Sequence, residues 1–184
     1  MLIGFSLGGN LILKYAGEQK YPLTSKLDKT VVFSVPVDLA GSSLELSKRK
    51  NWLYTKRFLL KLNDKISAKA ERFSELVSLD HMKNVKNIID FDNYYTAPLH
   101  GFRDANDYYR HSNSRQFLSQ IERPTLLVNA KNDPFLNDNC YPYEIAEKNK
   151  FLYMETPSWG GHVGFVESGE FYWSEKRAIE FMLQ

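Results

Sequence analysis

Three residues in this sequence have the types and surroundings that nucleophilic catalysis needs. Ser6 lies in the run GFSLG, which has the G-x-S-x-G pattern of a serine presented on a sharp strand-to-helix turn. A serine hydroxyl is a weak nucleophile until a base removes its proton, and that base needs an acid to orient it. The candidates for these roles are Asp133, in the run AKNDPF, and His162, in the run GGHVGF.

Three glycines surround the serine and fit the same interpretation. We expect Gly4, Gly8 and Gly9 to be required because larger side chains would collide with the neighbouring strand and helix. A serine at the start of a helix also has backbone N–H groups and the positive end of the helix dipole beside it, where an oxyanion can be held. The alternative is an ordinary tight turn in which Ser6 only caps the helix.

Asp133 and His162 each come directly after a predicted strand. Open α/β sheets place their sites beyond the carboxyl ends of the strands, which favours these two residues as partners of Ser6. Each also has a plainer reading, since Asn132-Asp133-Pro134 is good turn chemistry and His162 could be a structural residue of a loop. None of the other histidines follows a predicted core strand; they are His81, His100 and His111.

The elements that would position these residues are short apolar strands. Thr30–Pro36, Thr125–Ala130 and Phe151–Glu155 are almost continuously apolar, as parallel strands buried on both faces are, and Met1–Phe5 would end a fourth strand. Between the first two, residues 8–17 have helical periodicity and end on Gly17, which suits a C-cap. A strand-helix-strand order predicts a parallel pair joined by a crossover helix.

A long helical segment separates the second strand from the third. We divide the chain into 1–40 (elbow, helix and strand), 41–122 (a helical insertion, here called the cap) and 123–184 (the remaining strands, both loops and a terminal helix). The alternative is a set of surface helices with no role in substrate binding. Helical patterns cover residues 43–61, 67–76, 82–92, 105–112 and 170–183.

Composition narrows the possible functions. The net charge of the 184 residues is +2 with scattered basic residues, so nothing indicates nucleic acid as a partner. The single cysteine, Cys140, excludes an intramolecular disulfide and fits a reducing compartment; we read it as a plain thiol and expect a cytoplasmic protein. No apolar run is long enough to insert stably in a membrane, and no metal-ligand or nucleotide-binding pattern is present, so no cofactor is predicted.

The motifs together resemble one family. The runs GFSLGGN, FDNYYTAPLHGFRDANDYY, AKNDPF and GGHVGF, in this order, are similar to those of the YheT-like α/β-hydrolases, a group of esterases. The resemblance implies Ser6 as nucleophile, Asp133 as acid and His162 as base, acting on a small-molecule carboxylic ester. It also implies the fold: the C-terminal part of an α/β-hydrolase, with about four parallel strands, flanking helices and a helical cap between the second and third strands.

The beginning of the sequence departs from the family pattern. Members of the family have further strands before the elbow and a second oxyanion donor in a loop there, so we expect the Leu7 N–H to act without that partner. The strand ending at Phe5 would then be an exposed edge that could drive self-association, although the oligomeric state is not predicted. Two alternatives to an esterase stay open: a non-catalytic remnant or binding protein, and a thioesterase, lipase or acyltransferase using the same three residues.

Overall fold

A computed structural model describes residues 1–20 and 27–184. They form two compact units, of which the first comprises Met1–Asp38 and Ser112–Gln184 and the second Leu39–His111. Residues 112–122, which the sequence analysis placed in the cap, therefore group with the strands. Whether the second unit covers an active face stays a prediction.

The first unit is built on four parallel strands in the order β1-β2-β3-β4. The strands are β1 (Leu2–Phe5), β2 (Thr30–Phe33), β3 (Thr125–Val128) and β4 (Leu152–Glu155). Each begins within one residue of the start of a predicted apolar run and ends within three residues of its end. The four parallel strands with flanking helices expected from the sequence are therefore confirmed, and the carboxyl ends of all four strands meet at one edge of the sheet.

The two central strands are buried on both faces, which explains why their sequences do not alternate. Val32 and Leu127 pack in one cluster with Leu13 and Ala16 of helix α1 (Ser6–Glu18). Their neighbours in sequence point to the other face and pack against helix α8 (Trp173–Leu183). That second cluster comprises Val31, Phe33, Leu126, Val128, Ala130, Phe165, Ala178 and Phe181.

Helix α1 ends differently from the prediction. The C-cap is Gln19, with a left-handed φ of 52°, and not Gly17, which lies inside the helix. Gly17 is required for packing instead: an added Cβ would lie 2.2 Å from the carbonyl oxygen of Phe117, in the 3₁₀ helix Arg115–Gln120. Gly17 is therefore needed because it lets α1 pack closely against its neighbour, and not because it ends the helix.

The second unit is helical, as predicted, but all of its helices except one have bounds that differ from the prediction. Helix α2 (Leu39–Ser47) and α3 (Trp52–Arg72) are separated by a 3₁₀ turn, where one pattern over 43–61 was predicted. Helix α4 (Ile88–Phe91), a π-helical turn (Asp92–Thr96) and α5 (Ala97–Leu99) follow one another. Helix α6 (Ala105–Ser112) has the predicted bounds, and α7 (Tyr143–Lys148), in the first unit, was not predicted.

Among the helices of residues 1–20 and 27–184, none is long and apolar enough to cross a membrane.

The motif FDNYYTAPLHGFRDANDYY contributes the core contacts of the second unit. The Tyr109 hydroxyl donates a 2.6 Å hydrogen bond to Asp92 Oδ2, which is buried, and the Asn93 side chain accepts from the Ala105 N–H at the start of α6. Phe91 and Tyr95 pack in an apolar cluster with Ile66 of α3. These contacts give the motif a structural role within this unit.

Burial of Asp92 makes the stability of this unit dependent on pH. Desolvation raises the pKa of the Asp92 carboxyl above its usual value, although hydrogen bonds from Thr96 and Tyr109 oppose the rise. A carboxyl whose pKa is higher in the folded than in the unfolded state contributes stability below about pH 4, and this is lost as the pH rises through the folded-state pKa. Asp92→Asn removes the titration and keeps an acceptor for Tyr109.

We therefore expect the stability of Asp92→Asn relative to the wild type to increase as the pH is raised from about 4 towards 8. Urea unfolding of both proteins at several pH values measures this difference. Asp64→Asn, an exposed carboxyl on α3, should show a difference that does not vary with pH. A constant difference for Asp92→Asn as well would contradict the prediction.

The outer strand β1 has exposed apolar side chains. Leu2, Ile3 and Phe5 are 37%, 50% and 43% exposed, and β1 pairs only with β2 within the described part of the chain. Self-association through this edge stays a prediction.

Candidate functional site

The serine of the GFSLG run lies on a sharp turn between β1 and α1. Ser6 is the first residue of the helix and has a φ of 50°, in the left-handed region that residues other than glycine rarely adopt. Strained conformations of this kind occur preferentially at functional sites. The turn presents the Ser6 side chain at the carboxyl end of β1.

Two of the three elbow glycines are required by close packing. A Cβ on Gly4 would lie 2.9 Å from the backbone nitrogen of Gly9, and a Cβ on Gly9 would lie 2.6 Å from Val35 Cγ2. Helix α1 therefore lies so close to the sheet that only glycine, which has no Cβ, fits at these two positions. Gly8 does not fit the expected reason, since a Cβ there would have no atom within 4 Å.

This difference predicts opposite effects of two neighbouring substitutions. Gly9→Ala should push the start of α1 away from the sheet and destabilise the protein by about 1–3 kcal/mol. Gly8→Ala should stabilise it by about 0.5–1 kcal/mol because alanine is the better helix former. Thermal unfolding of both variants measures the effects, and equal destabilisation by both would contradict the packing argument.

His162 lies between Ser6 and Asp133 and is hydrogen-bonded to both. Its Nε2 is 2.9 Å from Ser6 Oγ, and its Nδ1 is 2.8 Å from Asp133 Oδ2. When the carboxylate accepts the Nδ1 proton, the neutral ring presents its Nε2 lone pair to the serine hydroxyl. The structure thus brings together all three residues proposed from the sequence, which lie 156 and 29 residues apart along the chain.

Asp133 is held in a fixed position under the histidine ring. Its side chain is fully buried, and its second oxygen, Oδ1, accepts a 2.9 Å hydrogen bond from the Phe135 N–H. The Phe135 ring packs against the His162 ring with centroids 4.4 Å apart. The pKa of Tyr141 is raised mainly by burial and secondly by the nearby Asp133 carboxylate, so the Tyr141 hydroxyl stays protonated. It donates a hydrogen bond to the carbonyl of Ala130, which lies just before the Asp133 loop.

A tight turn presents the histidine. The N–H groups of Gly164 and Phe165 both donate to the carbonyl of Gly160, which closes a turn around His162. A Cβ on Gly160 would lie 2.8 Å from the Ala130 Cβ, and Gly161 has a φ of +56°. Of the two glycines before the histidine, Gly160 is therefore required by close packing and Gly161 by its backbone conformation.

Two buried asparagines support the site and were not identified from the sequence. The Asn10 amide, on the buried face of α1, donates to the Ser112 carbonyl and accepts from the Ser114 N–H. Asn129, directly after β3, binds both backbone groups of Val35 and the carbonyl of Cys140. Asn10 had a usable signal, since it lies on the same helical face as Leu13 and Gly17 and so predicts a buried polar group with partners.

The remaining sequence candidates have other places. Leu7 is the second residue of α1, where N–H groups lack partners within the helix, so its N–H is available beside Ser6. His81 stacks on Tyr94, and His111 Nδ1 contacts the Asp107 carbonyl, both within the second unit. Cys140 is fully buried. Over residues 1–20 and 27–184, no group of three or more His, Cys, Asp or Glu side chains could hold a metal ion.

Comparison with known proteins gives sequence relatives of a consistent kind. The chain is 33% identical to YheT of Escherichia coli (strain K12), a protein named provisionally as an esterase, over 89% of the chain and 48% of YheT. It is 31% identical to phospholipase ABHD3 of Bos taurus over 89% of the chain and 40% of that protein. The chain thus spans about half the length of these relatives or less. No protein-family model matches it.

Solved structures confirm the fold independently of close sequence similarity. The esterase Pf2001 of Pyrococcus furiosus superposes with a TM-score of 0.50 at 17% identity, covering 98% of this chain and 51% of Pf2001. At this identity the likeness concerns the fold alone. The sequence matches to YheT and to ABHD3 show that the chain is similar to the YheT-like α/β-hydrolases over 89% of its length.

Proposed function

We propose that this protein is a serine hydrolase of carboxylic esters, with Ser6 as nucleophile, His162 as general base and Asp133 as the acid that orients it. The observation that carries the proposal is the position of His162, whose Nε2 is 2.9 Å from Ser6 Oγ while Nδ1 is 2.8 Å from Asp133 Oδ2. Hydrolase relatives support the coarser statement that the chain is of hydrolase type. That this chain is itself catalytically active is part of the proposal.

The first half of the proposed reaction forms an acyl-enzyme. Ser6 Oγ attacks the ester carbonyl carbon while His162 Nε2 takes the hydroxyl proton, and the carbonyl oxygen becomes an oxyanion beside the Leu7 N–H. When the tetrahedral intermediate collapses, the bond to the alcohol oxygen breaks and His162 returns the proton to that oxygen. The alcohol leaves, and the acyl group stays on Ser6.

The second half regenerates the serine. Water attacks the acyl carbonyl, His162 Nε2 takes a proton from the water, and the second tetrahedral intermediate expels Ser6 Oγ, which recovers the proton. The Asp133 carboxylate stabilises the imidazolium that forms in each half and is not itself protonated. A carboxylic acid leaves, so the net reaction consumes one water.

A fluorophosphonate probe followed by peptide mass spectrometry tests the proposal directly, because such probes react with activated serines. Labelling is expected on the peptide that contains Ser6. Absence of labelling, with no turnover of any ester, would contradict the proposal and favour a non-catalytic binding protein.

Substrate profiling separates the remaining chemistries. One named relative is a phospholipase, and a lipase and a thioesterase are among the alternatives, so the panel should contain p-nitrophenyl acyl esters of graded length, a monoacylglycerol, a phospholipid and an acyl thioester. We expect oxygen esters to have the highest kcat/KM. A thioester as the better substrate, or acyl transfer to an added alcohol in preference to water, would replace the esterase assignment by a thioesterase or an acyltransferase.

A further inference from the structure

The loops after β3 and β4 stay paired beyond the ends of the strands. The Asn129 N–H donates to the Glu155 carbonyl (3.1 Å), and the Lys131 N–H donates to the Pro157 carbonyl (2.9 Å). These two bonds continue the parallel ladder along the backbones. They bring the residues that follow, 132–133 and 160–162, next to each other.

Past that point the contacts pass from backbone to side chains. Asn132 Oδ1 accepts a 2.9 Å hydrogen bond from the Gly161 N–H, and Asp133 Oδ2 contacts His162 Nδ1 at 2.8 Å. Two consecutive residues of one loop therefore hold two consecutive residues of the other. Asn132 holds the backbone, and Asp133 holds the ring.

The backbone contact matters because the histidine loop is rich in glycine. Gly161, directly before His162, has a φ of +56°, and glycine has more conformational freedom to lose than any other residue. A hydrogen bond from Nδ1 to Asp133 fixes one atom of the ring, but a shift of the loop could still turn Nε2 away from Ser6. The bond to Asn132 restrains the peptide group from which the histidine extends.

We infer that Asn132 is a positioning residue, which fixes the Gly161 amide so that His162 Nε2 stays within hydrogen-bonding distance of Ser6 Oγ. The inference rests on the proposed function for its kinetic consequence, and on the Asn132–Gly161 contact for its structural one. Asn132 touches neither Ser6 nor the His162 ring in its described hydrogen bonds, so it acts through the loop.

The required chemistry is a short side chain with a carbonyl-type acceptor. Asn132→Ala removes the acceptor, whereas Asn132→Asp has nearly the same shape and keeps an oxygen that can accept from Gly161. The aspartate also places a negative charge beside the histidine loop, which favours the protonated imidazole. The two variants therefore separate loss of the contact from a change in charge.

The kinetic test compares kcat, KM and the pH dependence of both variants on the best oxygen ester. Misplacing a catalytic group by about 1 Å can cost about 100-fold in rate, so we expect Asn132→Ala to lower kcat by about 10- to 100-fold with little change in KM. Asn132→Asp should recover most of kcat at high pH, with its rise in rate displaced to higher pH.

A second test does not require activity. In wild-type protein the His162 Nδ1 proton, held by Asp133, should give a far-downfield resonance in proton NMR, and the Gly161 amide should exchange slowly with solvent. In Asn132→Ala the resonance should broaden or disappear and the Gly161 amide should exchange at least about ten times faster. Asn132→Asp should restore both signals.

A matched control is Asn139→Ala. Asn139 is also exposed and follows β3, and its side chain donates a 2.9 Å hydrogen bond to Asp38 rather than to the histidine loop. This variant loses one side-chain hydrogen bond but should keep kcat, the downfield resonance and the exchange rate of Gly161.

The outcomes are distinguishable. If the wild type neither turns over esters nor reacts with the probe, the proposed function fails, and the NMR signals alone decide on Asn132. Unchanged signals in Asn132→Ala, or signals that Asn132→Asp does not restore, would overturn the inference. So would an active wild type whose kcat is unaffected by Asn132→Ala.

Discussion

Ser6→Ala is expected to abolish labelling by a fluorophosphonate and to lower kcat for ester hydrolysis by about 10⁶-fold. The substitution removes the only atom that can form the acyl-enzyme and leaves Cβ in place. The backbone therefore keeps its φ of 50°, and the variant loses one hydrogen bond, to His162, worth about 1 kcal/mol. Probe labelling, ester turnover and thermal unfolding on the same preparations measure all three effects.

The fold offers a matched control for this substitution. Ser34 follows β2 as Ser6 follows β1, since Phe33 and Phe5 are paired in register, and its φ of 54° is almost the same. It is fully buried, and its Oγ has no hydrogen-bond partner within residues 1–20 and 27–184. We expect Ser34→Ala to keep both probe labelling and ester turnover. If labelling persists in Ser6→Ala, the nucleophile is another residue.

Asp133→Asn is expected to lower kcat by about 10⁴-fold while the protein stays folded. An asparagine oxygen in place of Oδ1 can still accept from the Phe135 N–H, so the loop geometry is kept. The amide NH₂ then faces His162 Nδ1 and can only donate to it, which forces the ring proton onto Nε2. A ring with its proton on Nε2 cannot take the proton of Ser6.

The control for this change is Asp138→Asn. Asp138 is an exposed carboxylate on the same connection after β3, and the substitution removes the same charge. We expect kcat to stay at the wild-type value, as measured with the same ester and at the same pH. Equal losses in both variants would attribute the effect of Asp133 to charge rather than to the tautomer of His162.

Both predictions depend on residues that could be proposed without a structure. Short apolar runs such as Thr125–Ala130 predict parallel strands, and the carboxyl ends of parallel strands meet at one edge, so Ser6, Asp133 and His162 were expected near one another. The parallel pairing of the first two strands and the helix between them follow from the same local patterns. The periodicity of apolar residues in a strand or helix depends only on residues close together in the sequence, so it can be recognised from the sequence alone.

Other features depended on contacts between distant residues. Gly17 had the type and place of a C-cap, but close approach to Phe117 decides its role and Gln19 ends the helix. Gly8 belongs to the elbow motif, yet the space around it is open. The neighbouring residues in the sequence do not show whether a glycine is needed for its backbone conformation or for its lack of a Cβ.

The sequence by itself determined the residue types of the site, their order along the chain and the strands that carry them, because these follow from local periodicity and turn chemistry. The tertiary structure alone decided that His162 lies 2.9 Å from Ser6, that Asn10 and Asn129 tie distant backbone segments together, and that Asn132 reaches Gly161. Hydrogen-bond geometry is set by how loops from different strands approach one another in space. That approach results from packing over the whole sheet, and no short run of residues encodes it.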